Sequence, residues 1–330
     1  MSDEATRVYG NASLQWGISG RPLVTFALFS YNQEDFIREA IESAFSQTYS
    51  PLEIILSDDC SSDQTFEIME EMASAYIGPH RVVARRNEAN LGTLKHVLTV
   101  ARMAQGDYLV VAAGDDISFP ERTGVQVEEL IRADETVAVL SSADIIFDGN
   151  GDLSCQKWNF DMLRGYHVRN KSWFHGATAC YRTDILRKFK FPDRKVYYED
   201  MAFMAIFENM GLPAIYMERP VIRRRYHQNN VGMERPMADP WSEELRVIRR
   251  IGCSADALNY AADVLEASKM NAKNLRSQVG LLRGYENWPN IGVLGRFKLF
   301  IECLRIGRMR RSVLRVLLGR RFFIWFRSVL

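Results

Sequence analysis

The sequence predicts an α/β fold: a mixed, mainly parallel sheet flanked by helices, then a helical and basic C-terminal region. Three observations carry this. Short apolar runs alternate with helical periods from Leu23 to about residue 142. Two of the runs end in adjacent carboxylates. Past residue 240 the strand pattern stops and Lys/Arg gather toward the end.

LVTFALF (23–29) reads as a buried strand. Phe36, Ile37, Ala40, Ile41, Ala44 and Phe45 then recur at helical spacing. LEIIL (52–56) is the second strand, and the next helix has Phe66, Met69, Met72, Ala73 and Tyr76 on one face. Ser61 or Ser62 is its expected N-cap. RVVA (81–84) is a weaker strand, followed by a helix over about 93–104 and the strand DYLVVAA (107–113). Pro120 marks the start of a helix to about Arg132, and TVAVLSS (136–142) is another strand. This β-α-β-α order implies a mainly parallel sheet covered on both faces.

With 330 residues, 47% of them apolar and 25% charged, the chain has the composition of a soluble globular protein. Five cysteines, an odd number without a C-x-x-C pair, suit neither a disulfide framework nor a zinc site and point to a reducing compartment. Residues 1–20 read as a loose leader without a signal-peptide core, and no apolar run is long enough to span a bilayer. No internal repeat is present.

Ligands of such sheets bind beyond the carboxyl ends of the strands. The chain has nine adjacent acidic pairs, and most of them fall on solvated helix faces. Asp58-Asp59 and Asp115-Asp116 instead leave buried strands at that edge. Carboxylates clustered in one crevice repel unless a cation neutralises them, and magnesium or manganese shares such ligands with substrate phosphates. Neither G-x-x-x-x-G-K-S/T nor G-x-G-x-x-G occurs, so a P-loop NTPase and a dinucleotide dehydrogenase lack support. Glu199-Asp200 opens a helical period over 198–210, where acids suit the positive end of the helix dipole or can serve as a general base. His227, in RRRYHQNN, is either structural or a further ligand.

These motifs stand in a familiar order. The segment VTFALFSYNQEDFIREAIESAFSQTYSPLEIILSDDCSSDQT, then NEANLG, QGDYL, GDD, HGATACYRTDIL, the E-D pair and R-Y-H-x-x-N, resembles glycosyltransferase family 2 over about residues 21–230. That family comprises inverting enzymes with the GT-A fold. The resemblance implies that Tyr31 and Asp59 contact the donor base, Asp59 at a ring N–H. It places Asp115 and Asp116 at the D-x-D-type site, with Asp116 as the direct ligand of Mn2+ or Mg2+. It makes Asp200 the base that deprotonates the acceptor hydroxyl, and His227 a late metal or diphosphate contact. The implied donor is a nucleotide diphosphate sugar, a UDP-sugar on family frequency. Lys95 and His96 stand where many members carry Asn or Arg. The absence of Q-x-x-R-W argues against a processive synthase. A nucleotidyltransferase would carry a Gly-rich basic loop where this chain reads SYNQED, and a degenerate membrane-bound partner would not need all the carboxylates.

Residues 291–330 carry ten Lys/Arg and one acid, Glu302, with clusters of Phe, Leu and Trp between. This predicts an interfacial amphipathic anchor on an anionic membrane surface, with helical packing on the catalytic domain as the bland alternative. Nucleic acid is not an expected partner. The expected organisation is a leader (1–20), a GT-A catalytic domain (21–235) and a helical C-terminal region (236–330). The expected setting is cytoplasmic, peripheral on the inner face of the cell membrane. There the chain would act on a glycan or polyprenyl-linked acceptor, with a homo-oligomer possible through the tail.

Overall fold

A computed structural model of the chain describes residues 6–9, 20–141, 143–148, 151–157, 176–227 and 240–286. The basic tail at 291–330 lies outside them. The described strands are β1 (Thr6–Tyr9), β2 (Val24–Ser30), β3 (Leu52–Asp58), β4 (Arg81–Arg86), β5 (Tyr108–Ala113), β6 (Ile117–Ser118), β7 (Ala138–Ser141), β8 (Ala143–Asp148), β9 (Gly151–Lys157), β10 (Cys180–Arg182), β11 (Ala214–Met217) and β12 (Ile222–Arg225). The helices are α1 (Ile37–Phe45), α2 (Thr65–Ser74), α3 (Thr93–Met103), α4 (Arg122–Arg132), α5 (Thr183–Arg187), α6 (Glu199–Met210), α7 (Pro240–Ala267) and α8 (Lys273–Glu286).

Eight strands form one sheet in the order β1-β4-β3-β2-β5-β10-β7-β11. The pairs β4/β3, β3/β2, β2/β5 and β7/β11 are parallel. β1 and β10 run against their neighbours. The mixed, mainly parallel sheet is thus present. Four residues of the expected leader form its edge strand β1, too short to show a period in sequence. A second sheet, β6-β12-β8-β9, is built from strands that alternate in chain order with the later strands of the main sheet.

Residues 24–30 alternate between two buried faces. Val24, Phe26 and Leu28 share a core with Ile37, Ala40, Ile41, Met69, Ala73, Val127 and Leu130, from α1, α2 and α4. On the other face Phe29 meets His96 of α3 edge to face at 4.9 Å. Both faces being covered explains why the strand reads as a continuous apolar run. Truncating the fully buried Phe26 to Ala should cost about 3–5 kcal/mol.

Two starts differ from expectation. The second helix begins at Thr65, not after Ser61 or Ser62, and its Gln64 N-cap makes no side-chain cap bond. Ser61 is taken by Asp58 and Ser62 by Asn32. Asp63 and Glu34 accept the N–H groups of Thr65 and Gln64 instead. The fourth helix starts at Arg122, because the Pro120 carbonyl is already held by the N–H of Thr48 at 2.9 Å.

The described residues divide into two compact units. One holds residues 6–157, 176–200 and 207–227, and the other holds 201–206 and 240–286. In the second, α7 and α8 form a hairpin. Arg276 bonds Asn259, Asp263 and Glu266, and Arg283 pairs with Asp256. Helix α7 closes with Lys269 at φ 58°. The N–H groups of Lys269 and Met270 reach back to the carbonyls of Glu266 and Leu265, a Schellman ending on a residue with a Cβ.

Candidate active site

The parallel strands deliver their last residues to one edge of the sheet. At the end of β2, Tyr31 is 48% exposed. The following loop is fastened to the one after β3. The N–H of Asn32 donates to Ser61 Oγ, that of Gln33 to Thr65 Oγ1, and that of Ser62 to Asn32 Oδ1, each at 2.8 Å. Of the Asp58-Asp59 pair, only Asp59 is turned to the NEANLG loop. Asp59 Oδ1 accepts from Asn87 Nδ2 (2.7 Å) and Leu91 N (2.8 Å), and Oδ2 from Gly92 N (3.0 Å). Asp58 lies fully buried on Ser61 and Arg86, and burial raises its pKa above the usual carboxylate value. It holds the loop and does not line a crevice, which corrects the reading of both residues as crevice carboxylates.

At the end of β5 the GDD turn needs its glycine. A Cβ on Gly114 would stand 2.6 Å from Gln33 Oε1 and 2.8 Å from Ser30 Cβ. Asp115 Oδ2 stands 2.9 Å from His227 Nε2. The His227 ring packs on Phe36 with centroids 4.5 Å apart. Asp116, 5% exposed, accepts the Arg225 N–H at its Oδ1 (3.0 Å). Arg225 Nε donates to the Asp115 carbonyl (3.1 Å), and its guanidinium reaches Glu39 (3.0 Å). Beneath lies Arg122, 1% exposed, donating to Ser118 Oγ, Gln126 Oε1 and the Val111 carbonyl. Burial lowers its pKa to about 10, with Cys180 and Asp116 opposing the shift, so it stays a cation.

These residues fit a divalent ion shared with a substrate. Cis ligands on a cation with ~2.1 Å bonds stand about 3 Å apart, the spacing of Asp115 Oδ2 and His227 Nε2. Among the described residues no group of three or more His, Cys, Asp and Glu surrounds one point, so further ligands would come from substrate phosphates. The side chain beside His227 is Asp115, while Asp116, the residue expected to bind metal, is turned to Arg225.

Glu199 and Asp200 open α6. Glu199 is 9% exposed, and a Cβ on Gly176 would fall 2.0 Å from its Oε1, so the glycine admits this carboxyl. Burial first, then the neighbouring Asp200 charge, push the Glu199 pKa well above the usual carboxylate value. Asp200 is half-buried beside it. Residues 176–178 form a 3-10 turn, and Ala177 packs with Ala113, one residue before Gly114. The acidic helix start and the GDD turn are therefore joined through one small cluster.

A model of the family described as Glycosyl transferase family 2 matches residues 25–191. The chain belongs to glycosyl transferase family 2. The putative glycosyltransferase EpsE of Bacillus subtilis is 34% identical over 209 residues, covering 62% of this chain and 73% of that protein. An uncharacterized protein of Mycobacterium tuberculosis is 36% identical over 121 residues, only 34% of its length. Chondroitin synthase of Escherichia coli is 28% identical over 141 residues, 43% of this chain and 20% of that one. Among solved structures, Staphylococcus aureus TarS 1–349 in complex with UDP-GlcNAc matches with TM-score 0.53 at 14% identity, over 89% of this chain and 81% of that one. The mannosyltransferase PcManGT from Pyrobaculum calidifontis, with GDP-Man and Mn2+, matches with TM-score 0.51 at 16% identity, over 92% and 85%. The family 2 chain thus has the GT-A fold that the sequence predicts.

Sequence reasoning missed Phe36, Arg122, Arg225 and Gly176. A buried arginine cannot be told from a surface one in sequence, and Arg225 was one of three in a run. Gly176 did carry a signal, as the glycine of the HGAT motif. His96, marked as a departure, is buried on Ser57 Oγ at 2.6 Å and takes no place at the site edge.

Proposed function

We propose that this family 2 chain is an inverting, metal-dependent glycosyltransferase that moves a sugar from a nucleotide diphosphate donor, a UDP-sugar, to a hydroxyl of a glycan or polyprenyl-linked acceptor in cell-surface polysaccharide assembly. The observation that carries the reading is the gathering of Asp59, the Asp115–His227 pair and Glu199-Asp200 along one edge of the parallel sheet. The likeness to chondroitin synthase supports a glycan product, and the two matched folds were solved with nucleotide sugars, one with Mn2+.

In this reading Tyr31 offers its ring to the donor base and Asp59 accepts a ring N–H. Asp115 and His227 would hold a magnesium or manganese ion, whose chemistry is to stabilise charge on the departing diphosphate, while Asp116 fixes the turn through the Arg225 N–H. Glu199 is the carboxyl that keeps its proton. Asp200 is the base: it takes the proton of the acceptor hydroxyl as that oxygen bonds the anomeric carbon. The bond from that carbon to the phosphate oxygen breaks on the opposite face, and one displacement inverts the centre. The basic tail would hold the enzyme on the anionic inner leaflet, near a lipid-linked acceptor.

A thermal-shift panel of UDP, GDP, dTDP and CDP, each with and without manganese, tests the donor side. A ligand specific to the native state adds about 2.7 kcal/mol at a hundredfold excess over Kd. A metal-dependent shift with one diphosphate is expected. A folded sample that responds to none of them would refute the reading.

A further inference from the structure

The carboxylate of Asp59 ends a buried chain in which the hydrogen-bond directions from Arg85 through Asn87 are fixed. Arginine only donates. Arg85, 8% exposed, gives Nη1–H to Ser57 Oγ at 2.6 Å and Nη2–H to Asn87 Oδ1. The Asn87 oxygen must therefore face Arg85, and its NH2 must face Asp59 Oδ1, at 2.7 Å. Ser57 Oγ, accepting from Arg85, also bonds His96 Nε2 at 2.6 Å. Burial and the Arg85 charge lower the His96 pKa to about 3, so the ring is neutral.

Asp59 receives three donors: Asn87 Nδ2, Leu91 N and Gly92 N. Two fall on Oδ1 and one on Oδ2. Each carboxylate oxygen has two lone pairs, so among these contacts Oδ2 keeps one accepting position.

We propose that Arg85 is a positioning residue which, by locking the Asn87 amide, holds Asp59 as an acceptor with one open position. It thereby sets the choice of donor base, favouring one with a ring N–H (uracil, thymine or guanine) over cytosine. Cytosine offers an acceptor at its N3, so two acceptors would meet there unpaired. The inference rests on the reading of Asp59 as a base contact. Without the Arg85 lock the Asn87 amide can turn its oxygen toward Asp59, and the carboxylate loses its fixed orientation.

The test is calorimetric binding of UDP, dTDP, GDP and CDP to the full chain in manganese. UDP, GDP and CDP share ribose and diphosphate, so their ratio reports the base alone; dTDP differs also by its missing 2′-hydroxyl. A hydrogen bond to a charged group implies about 10-fold or greater preference of the wild type for the best of the first three over CDP. In Arg85→Met that preference should fall to about 3-fold or less. Arg85→Lys retains one donor for Asn87 and should restore most of it. Asn87→Asp keeps an anionic partner for Arg85, which favours folding, but sets a carboxylate against Asp59 and should also abolish the preference. It carries the test should Arg85→Met not fold. A folded Arg85→Met or Asn87→Asp that discriminates like the wild type would overturn the role of Arg85. A wild type that binds CDP as tightly as the others would instead overturn the base contact of Asp59 itself. A merely structural Arg85 would lower melting temperature and leave the ratio unchanged.

Discussion

Asp200 is where the proposed chemistry is most exposed to a single substitution. Asp200→Asn keeps the size and removes the basicity, and turnover should fall about 100-fold or more, with the donor KM little changed. Near-normal turnover would dismiss it as the base. Its neighbour predicts the opposite. The buried Glu199 carboxyl has its pKa raised, so the native state binds a proton that the unfolded chain releases above its ordinary value near 4.5. Its contribution is complete at low pH and is lost as pH rises toward the folded pKa. Glu199→Gln, a neutral near-isostere, should leave the fold intact and reduce the loss of stability on the alkaline side, read by urea unfolding. His96 acts at the other end. Its pKa, lowered to about 3, means that the unfolded chain takes the proton first as pH falls below about 6.5. Stability should decline by about 1.4 kcal/mol per pH unit across part of that window. In His96→Gln the slope between pH 6 and pH 4 should be visibly flatter.

Among the elements, the turns and caps hold the sharpest expectations. Gly114→Ala forces a methyl group against Gln33 and Ser30, and should destabilise the fold while lowering donor affinity, since Asp115 follows directly. Lys269→Gly should stabilise the α7–α8 hairpin by about 1 kcal/mol, because the left-handed position strains any residue with a Cβ. Arg122→Leu would leave the Val111 carbonyl and Gln126 without their buried donor, at a cost of about 3 kcal/mol or more by denaturant midpoint. The longer elements were legible in the sequence. The strands at 24–30, 52–58 and 108–113 and the helix at 93–103 matched their apolar periods within a few residues. Of the strands of two to four residues, β7 was marked by its apolar run, but β1, β6, β10, β11 and β12 were not, since a period of two needs more repeats to show. The carboxylates of the site were legible because each follows an element boundary. Their partners were not: His227 meets Asp115 across 112 residues of chain, and no local pattern marks that pairing.

For the whole molecule, two measurements separate the catalytic unit from the tail. A chain ending before residue 291 should remain folded, show the same manganese-dependent nucleotide response, and lose most of its binding to vesicles rich in anionic lipid. A truncated protein that stays fully vesicle-bound would remove the tail from the membrane reading. Among the described residues no helix is long and apolar enough to cross a bilayer.

The reversed strand β10 has one more consequence, for engineering. It enters between β5 and β7, so its upstream turn, not its downstream end, arrives beside the GDD motif. The residues assigned to the donor base, Tyr31 and Asp59, precede Ser118, while His227 and the proposed acceptor base come from chain that follows β7. Base recognition and acceptor activation are therefore sequential along the polypeptide although they share one edge of the sheet. A hybrid of two family members, joined between Arg132 and Ala138, should inherit its base preference from the first parent and its acceptor from the second.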